Sequence, residues 1–206
     1  MRVLLISEGP HEGNPDDERP QALRCLVQRV LPAEATYTWL NVRDLPHGNP
    51  LPGKGGGHFR LALKALRYAT REQFQAVILV TDADGNRERI AQFQQAQESD
   101  RFALPRAFGI AVEEFDAWIL ADHQALSLIF QRSVGMQRSC ESIRHPKVIC
   151  RELMKNHGWT GSQSGLYEAV CRCAAFQVVA DRCPLGFAPF WERLQSLAVT
   201  LVRGQA

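Results

Sequence analysis

The chain has 206 residues, room for one sizeable core plus an extension at about 100–200 residues per domain. Hydrophobic residues make up 45% and charged residues 22%, a balance that excludes a disordered or fibrous class. A formal charge of +2 with an isoelectric point near 8.3 is too weak a bias to announce nucleic-acid binding, although charge can be concentrated locally.

The opening apolar run, Val3 to Ile6, is shorter than the roughly 7–15-residue core of a signal peptide. No stretch approaches the roughly 18 apolar residues of a membrane helix, so a cytoplasmic protein with no membrane partner is expected. The six cysteines include no Cys-x-x-Cys pair, which predicts reduced, mostly buried thiols rather than a zinc site.

In chain order, Val3 to Ile6, bounded by Gly9 and Pro10, reads as a strand buried on both faces of an α/β sheet. After a turn-rich loop, Leu23, Leu26, Val27 and Val30 recur at helical spacing within a helix from Pro20 to Val30. Ala35 to Val42 has strand composition, and a Pro/Gly-rich stretch from Leu45 to Gly57 follows. The pattern then predicts a helix over His58 to Thr70, a strand over Ala76 to Val80 and a polar helix over Asn86 to Gln97. A further strand over Ala107 to Val112 leads into a helix over Glu113 to Ala121, and helical signals dominate beyond Asp122. Strands alternating with helices predict an α/β fold with a mainly parallel sheet flanked by helices and a helical C-terminal extension.

Functional crevices of open α/β sheets lie beyond the carboxyl ends of the strands, and two acidic motifs fall there. Glu8-Gly9-Pro10-His11-Glu12 follows the first strand; Asp82-Ala83-Asp84-Gly85 follows the third. Aspartates one residue apart at a strand end can project to the same side, and Gly85 lets the backbone turn behind them. Such carboxylates suit a hard cation, Mg²⁺ or Mn²⁺, with Glu8 as a further ligand or as general acid/base. Helix capping is the competing reading of these acids. Glu12 and His11 are accessory candidates, His11 being equally well explained as a solvated loop residue. At the strand-to-helix junction, Glu114 and Asp116 are candidate ligands for the same metal or a second one, while capping fits them as well. Lys54, in the glycine-rich segment Gly53 to Gly57, is a candidate phosphate contact with Arg60, Lys64 and Arg87; the segment lacks Walker A spacing.

Taken in order, Glu8-Gly9-x-x-Glu12, Thr81-Asp82-Ala83-Asp84-Gly85 and Glu114-Phe115-Asp116-Ala117-Trp118 through Asp122 resemble the DUF4276 family, a TOPRIM-related group. His145-Pro146-Lys147, Gly165-Leu166-Tyr167 and Arg182 to Phe187 with Phe190 extend the resemblance over nearly the whole chain. It implies a TOPRIM-like catalytic core over residues 1–121 and a helical extension over 122–206 packed on it. It also implies metal-dependent phosphodiester chemistry carried by Glu8, Asp82 and Asp84, as in OLD-type nucleases. DNA or RNA as substrate, an ATPase protein partner and a role in anti-phage or anti-plasmid defence are implied in the same way. The sequence departs from the pattern at His11, where relatives carry a small hydroxyl residue.

Two readings follow: a metal-dependent nuclease, and a non-catalytic TOPRIM-like interaction subunit of a defence or nucleic-acid-processing complex. A HAD-type phosphatase is disfavoured, because its nucleophilic aspartate belongs to an early strand.

Overall fold

The computed structural model describes residues 1–9, 21–46, 56–137 and 139–204. Four strands, β1 (Arg2–Ser7), β2 (Thr36–Asn41), β3 (Ala76–Asp82) and β4 (Arg106–Ala111), form one sheet in the order β2-β1-β3-β4, every neighbouring pair parallel. Parallel neighbours need crossovers, and the apolar runs of β1, β3 and β4 reflect strands covered on both faces.

Alternation along the strands divides the core. Leu4, Ile6, Val77, Leu79, Phe108 and Ile110 face a layer made by α2 (Gly57–Arg71) and α3 (Arg87–Gln97). On the opposite face, Val3, Leu5, Ile78, Val80, Ala107 and Ala111 pack with α1 (Ala22–Gln28) and α4 (Asp116–Ala121). That second cluster continues through α5 (His123–Phe130), α6 (Pro146–Asn156), α7 (Gln163–Cys173), α8 (Phe176–Arg182) and α9 (Phe187–Arg203). Residues on both sides of position 122 therefore share one hydrophobic cluster. Among the described residues no helix is long and apolar enough to cross a membrane. None of the six cysteines is in a disulfide, and only Cys173 is exposed.

The elements expected from the sequence are present, with one informative shift. The helix expected over Glu113 to Ala121 starts only at Asp116, because the preceding backbone is engaged elsewhere. Carbonyls of Ala111, Val112 and Glu113 accept hydrogen bonds from the amides of Ala83, Gly85 and Asp84 at 2.8, 2.8 and 3.1 Å. Residues 111–113 thus latch the turn after β3 instead of winding into a helix.

The outer edge of β4 is closed by side chains. Gln97 accepts from the Phe108 amide (2.9 Å) and donates to the Arg106 carbonyl (3.2 Å), while Arg193 Nη1 donates to the Phe108 carbonyl (2.8 Å). Gly109 admits α9 at close range: a Cβ there would lie 2.8 Å from the Phe190 ring.

Candidate active site at the strand-order reversal

The chain runs from β1 outward to β2, then returns to place β3 on the other side of β1 and β4 beyond it. The order reverses between β1 and β3, the position where open α/β sheets leave a crevice beyond their carboxyl ends. Ser7 is paired with Val80, so Glu8 emerges beside Thr81 and Asp82.

Glu8 is exposed, and its Oε2 accepts the Asp82 backbone amide at 3.3 Å. From the other side, Asn41 Nδ2 donates to the Glu8 carbonyl (3.0 Å), and Trp39 Nε1 donates to Ser7 Oγ (2.8 Å). The first acidic position is thereby held between β2 and β3.

Asp82 is the final residue of β3 and is half-buried. Its Oδ1 accepts the Phe115 amide at 2.9 Å, at the N-cap of α4, so this carboxylate does cap a helix as well as line the crevice. Asp84, with φ of 49°, sits in the left-handed region that Asp tolerates better than most residues, and Gly85 follows at φ 71°. Asp84 Oδ2 is in an ion pair with Arg89 Nη1 on the first turn of α3.

The third acidic group is divided by the structure. A Cβ on Gly85 would fall 2.9 Å from Glu113 Oε1, which locates the Glu113 carboxylate directly over the Asp82–Gly85 turn. Glu114 points elsewhere: its Oε2 accepts the Lys147 amide (3.2 Å) in the first turn of α6. Asp116 is buried, with Oδ1 accepting from the Tyr167 hydroxyl and from Gln163 Nε2 (3.1 Å). Burial pushes its carboxyl above the ordinary value of 3.8, opposed by the Tyr167 hydrogen bond and the charges of Lys147 and Arg151. Of the expected ligands beyond Glu8, Asp82 and Asp84, Glu114 and Asp116 are thus engaged by α6 and α7, and the acid delivered to the turn is Glu113. Asp122 is structural as well, capping α5 through Gln124 and Ala125 (3.0 and 3.1 Å) and accepting from the Ala175 amide (2.8 Å).

His58, in the first turn of α2, packs against Phe93 with ring centroids 5.7 Å apart and interacts electrostatically with the crevice groups Glu8, Asp84 and Arg89. Burial lowers its imidazole below the usual 6.5; Arg89 acts in the same direction, and Glu8 and Asp84 act against it. The His58 amide donates to Gln92 Oε1 (3.0 Å), so one N–H at the start of α2 is already capped by protein. Arg60 is exposed and Lys64 half-buried further along α2, and exposed Arg87 opens α3. His11, Glu12 and Lys54 lie outside the described residues.

Among the described residues, no group of three or more His, Cys, Asp or Glu is gathered closely enough to hold a metal ion. Two carboxylates at one crevice, Glu8 and Asp82, still match the way Mg²⁺ is often held, by one or two carboxylates with water and substrate phosphate oxygens completing the shell. A ready-made cage of five protein carboxylates does not match. Comparison with family models, curated proteins and solved structures finds no match.

Proposed function

We propose that this chain is a Mg²⁺- or Mn²⁺-dependent phosphodiester hydrolase acting on nucleic acid at the crevice beyond β1 and β3. The observation that carries the reading is the pairing of Glu8 with the Asp82 amide at the strand-order reversal, where two acids 74 positions apart meet at one strand end. Glu8 and Asp82 would hold the cation, with Asp84 and Glu113 beside them. When bound, the cation supplies charge stabilisation at the phosphoryl oxygen and lowers the pKa of water. In place of a ligand role, exposed Glu8 would serve as the general base toward an attacking water. Arg89, partly neutralised by Asp84, and Arg87 bring positive charge to the mouth, where a phosphate backbone would lie. Resemblance to TOPRIM effectors extends this proposal to a defence role beside an ATPase partner.

A second reading is favoured by one observation. Asp82 Oδ1 caps α4 and Asp84 is paired with Arg89, so much of the acidic motif is engaged by the protein itself. On that reading the chain is a non-catalytic interaction subunit.

One experiment separates them. Purified protein is incubated with single- and double-stranded DNA and RNA in Mn²⁺ or Mg²⁺, alongside thermal melting with and without the ions. The hydrolase predicts cleavage that is abolished in Glu8→Gln and Asp82→Asn, and a metal-dependent rise in Tm that both variants lose. Cleavage unaltered in both variants, or no metal response in cleavage and Tm alike, refutes it; the latter outcome favours the interaction subunit.

A further inference from the structure

The amino-end pole of the sheet, opposite Glu8 and Asp82, carries a second concavity. Where β4 begins, α3 ends and α9 crosses, a cleft of about 330 Å³ opens, lined in part by Gln97, Arg106, Glu192, Arg193, Ser196 and Thr200. That volume lies at the lower end of the range of small-molecule sites, about 300–1,000 Å³.

Its charges are arranged unusually. Arg106 and Arg193 are both half-buried, and burial lowers both guanidinium pKa values. The ion pairs formed among the described residues involve Arg71, Arg89 and Arg172, neither of the cleft arginines. Backbone carbonyls hold them instead: Arg106 Nη2 donates to Ser99 (2.7 Å) and Phe102 (3.0 Å), and Arg193 Nη1 to Phe108 (2.8 Å). Arg106 Nη1 is buried with no hydrogen-bond partner. Carbonyls fix the direction of a guanidinium without cancelling its charge, so two oriented and only partly compensated cations flank one cleft. The acids that act on Arg193, Glu98 and exposed Glu192, do so without forming a bridge. Along α9, Arg193, Ser196 and Thr200 are spaced to share one helical face; Ser196 adds an exposed hydroxyl, while that of Thr200 donates to the Ser196 carbonyl (3.0 Å).

We propose that this cleft is a binding site for a small molecule carrying an oxyanion, a carboxylate or phosphate group, held by the Arg193 guanidinium and the positive charge of Arg106, with the Ser196 hydroxyl as a hydrogen-bond donor. The desolvated, fork-shaped guanidinium is the side chain best suited to such groups. The proposal is independent of the chemistry assigned to Glu8 and Asp82, because the two sites lie at opposite poles of the sheet.

The test is calorimetric titration of the full chain, free of divalent cations, with inorganic phosphate and separately with citrate, backed by thermal melting. A saturable isotherm with at least one probe is expected. Ser196→Asp, which sets a like charge in the cleft at an exposed position, should weaken it on the order of tenfold or more. Arg193→Gln should weaken it similarly, whereas Glu8→Gln should leave it unchanged. Saturation by phosphate alone or by citrate alone identifies which oxyanion the site takes. Absence of saturable binding by both probes, or binding unaltered in Ser196→Asp, overturns the proposal, and loss in Glu8→Gln would move the anion to the other pole.

Discussion

Two strand-to-helix junctions of this chain look alike in sequence. One reads Asp82-Ala83-Asp84-Gly85 after β3, the other Glu113-Glu114-Phe115-Asp116 after β4. After β3, the acids stay at a crevice: Asp84 is 64% exposed at its side chain, and Asp82 is half-buried at the strand end. After β4, Asp116 is 4% exposed and bonded to Tyr167 and Gln163, while Glu114 caps α6. The difference lies in what covers the helix that follows. α3 presents a polar outer face, whereas α4 is roofed by α6, α7 and α8, which bring their own donors to any acid near its start. An acidic strand end therefore reads as chemistry only while the next helix remains at the surface.

The strongest challenge to this contrast is Asp116→Ala. It removes the carboxylate that accepts from the buried Tyr167 hydroxyl and from Gln163 Nε2, and should lower unfolding free energy by about 2–3 kcal/mol in urea titration. An unchanged midpoint would mean that this junction is not structural. The same residue gives a pH signature. Its folded pKa is raised, so the folded state holds the proton more tightly than the unfolded chain. That contribution is fully present below the ordinary value of 3.8 and is lost as pH rises through the raised value. The stability difference between wild type and Asp116→Asn should therefore shift against the wild type as pH rises from about 4 toward neutrality.

How far each junction could be read in advance follows from the same contrast. The apolar runs ending at Ile6 and Val80 placed Glu8 and Asp82 at strand ends, and parallel topology alone made them neighbours. Which of Glu113, Glu114 and Asp116 faces the turn depends on where α4 begins. That start is set by the Phe115 amide binding Asp82 and by three carbonyls latched to residues 83–85, contacts no periodicity encodes. His58, Asn41 and Gln92 were hidden for a related reason: each is an ordinary polar residue locally and matters through partners 34 or 33 positions away, or through the shared crevice.

A milder perturbation acts on the open junction. Gly85→Ala forces a side chain into a left-handed backbone conformation and against Glu113, and should cost about 1–2 kcal/mol while displacing the Asp82–Asp84 turn. If the turn is the catalytic element, cleavage should fall by more than the loss of folded protein explains, as measured in the soluble, folded fraction. Smallest of all should be Arg89→Ala. It breaks an ion pair with Asp84 whose side chains are 32% and 64% exposed, so the stability change should stay below about 1 kcal/mol. A larger loss in denaturant titration would show that the β3 junction, too, is built for stability.

The side-chain closure of β4 bears on how the protein survives its own synthesis. An unpaired parallel strand offers a row of amides and carbonyls to any other chain emerging nearby. Gln97, only 9 and 11 positions from the groups it caps, can shield that row as soon as β4 has left the ribosome, whereas Arg193, 85 positions from Phe108, arrives much later with α9. Gln97 thus serves as an early guard for an edge that α9 afterwards secures.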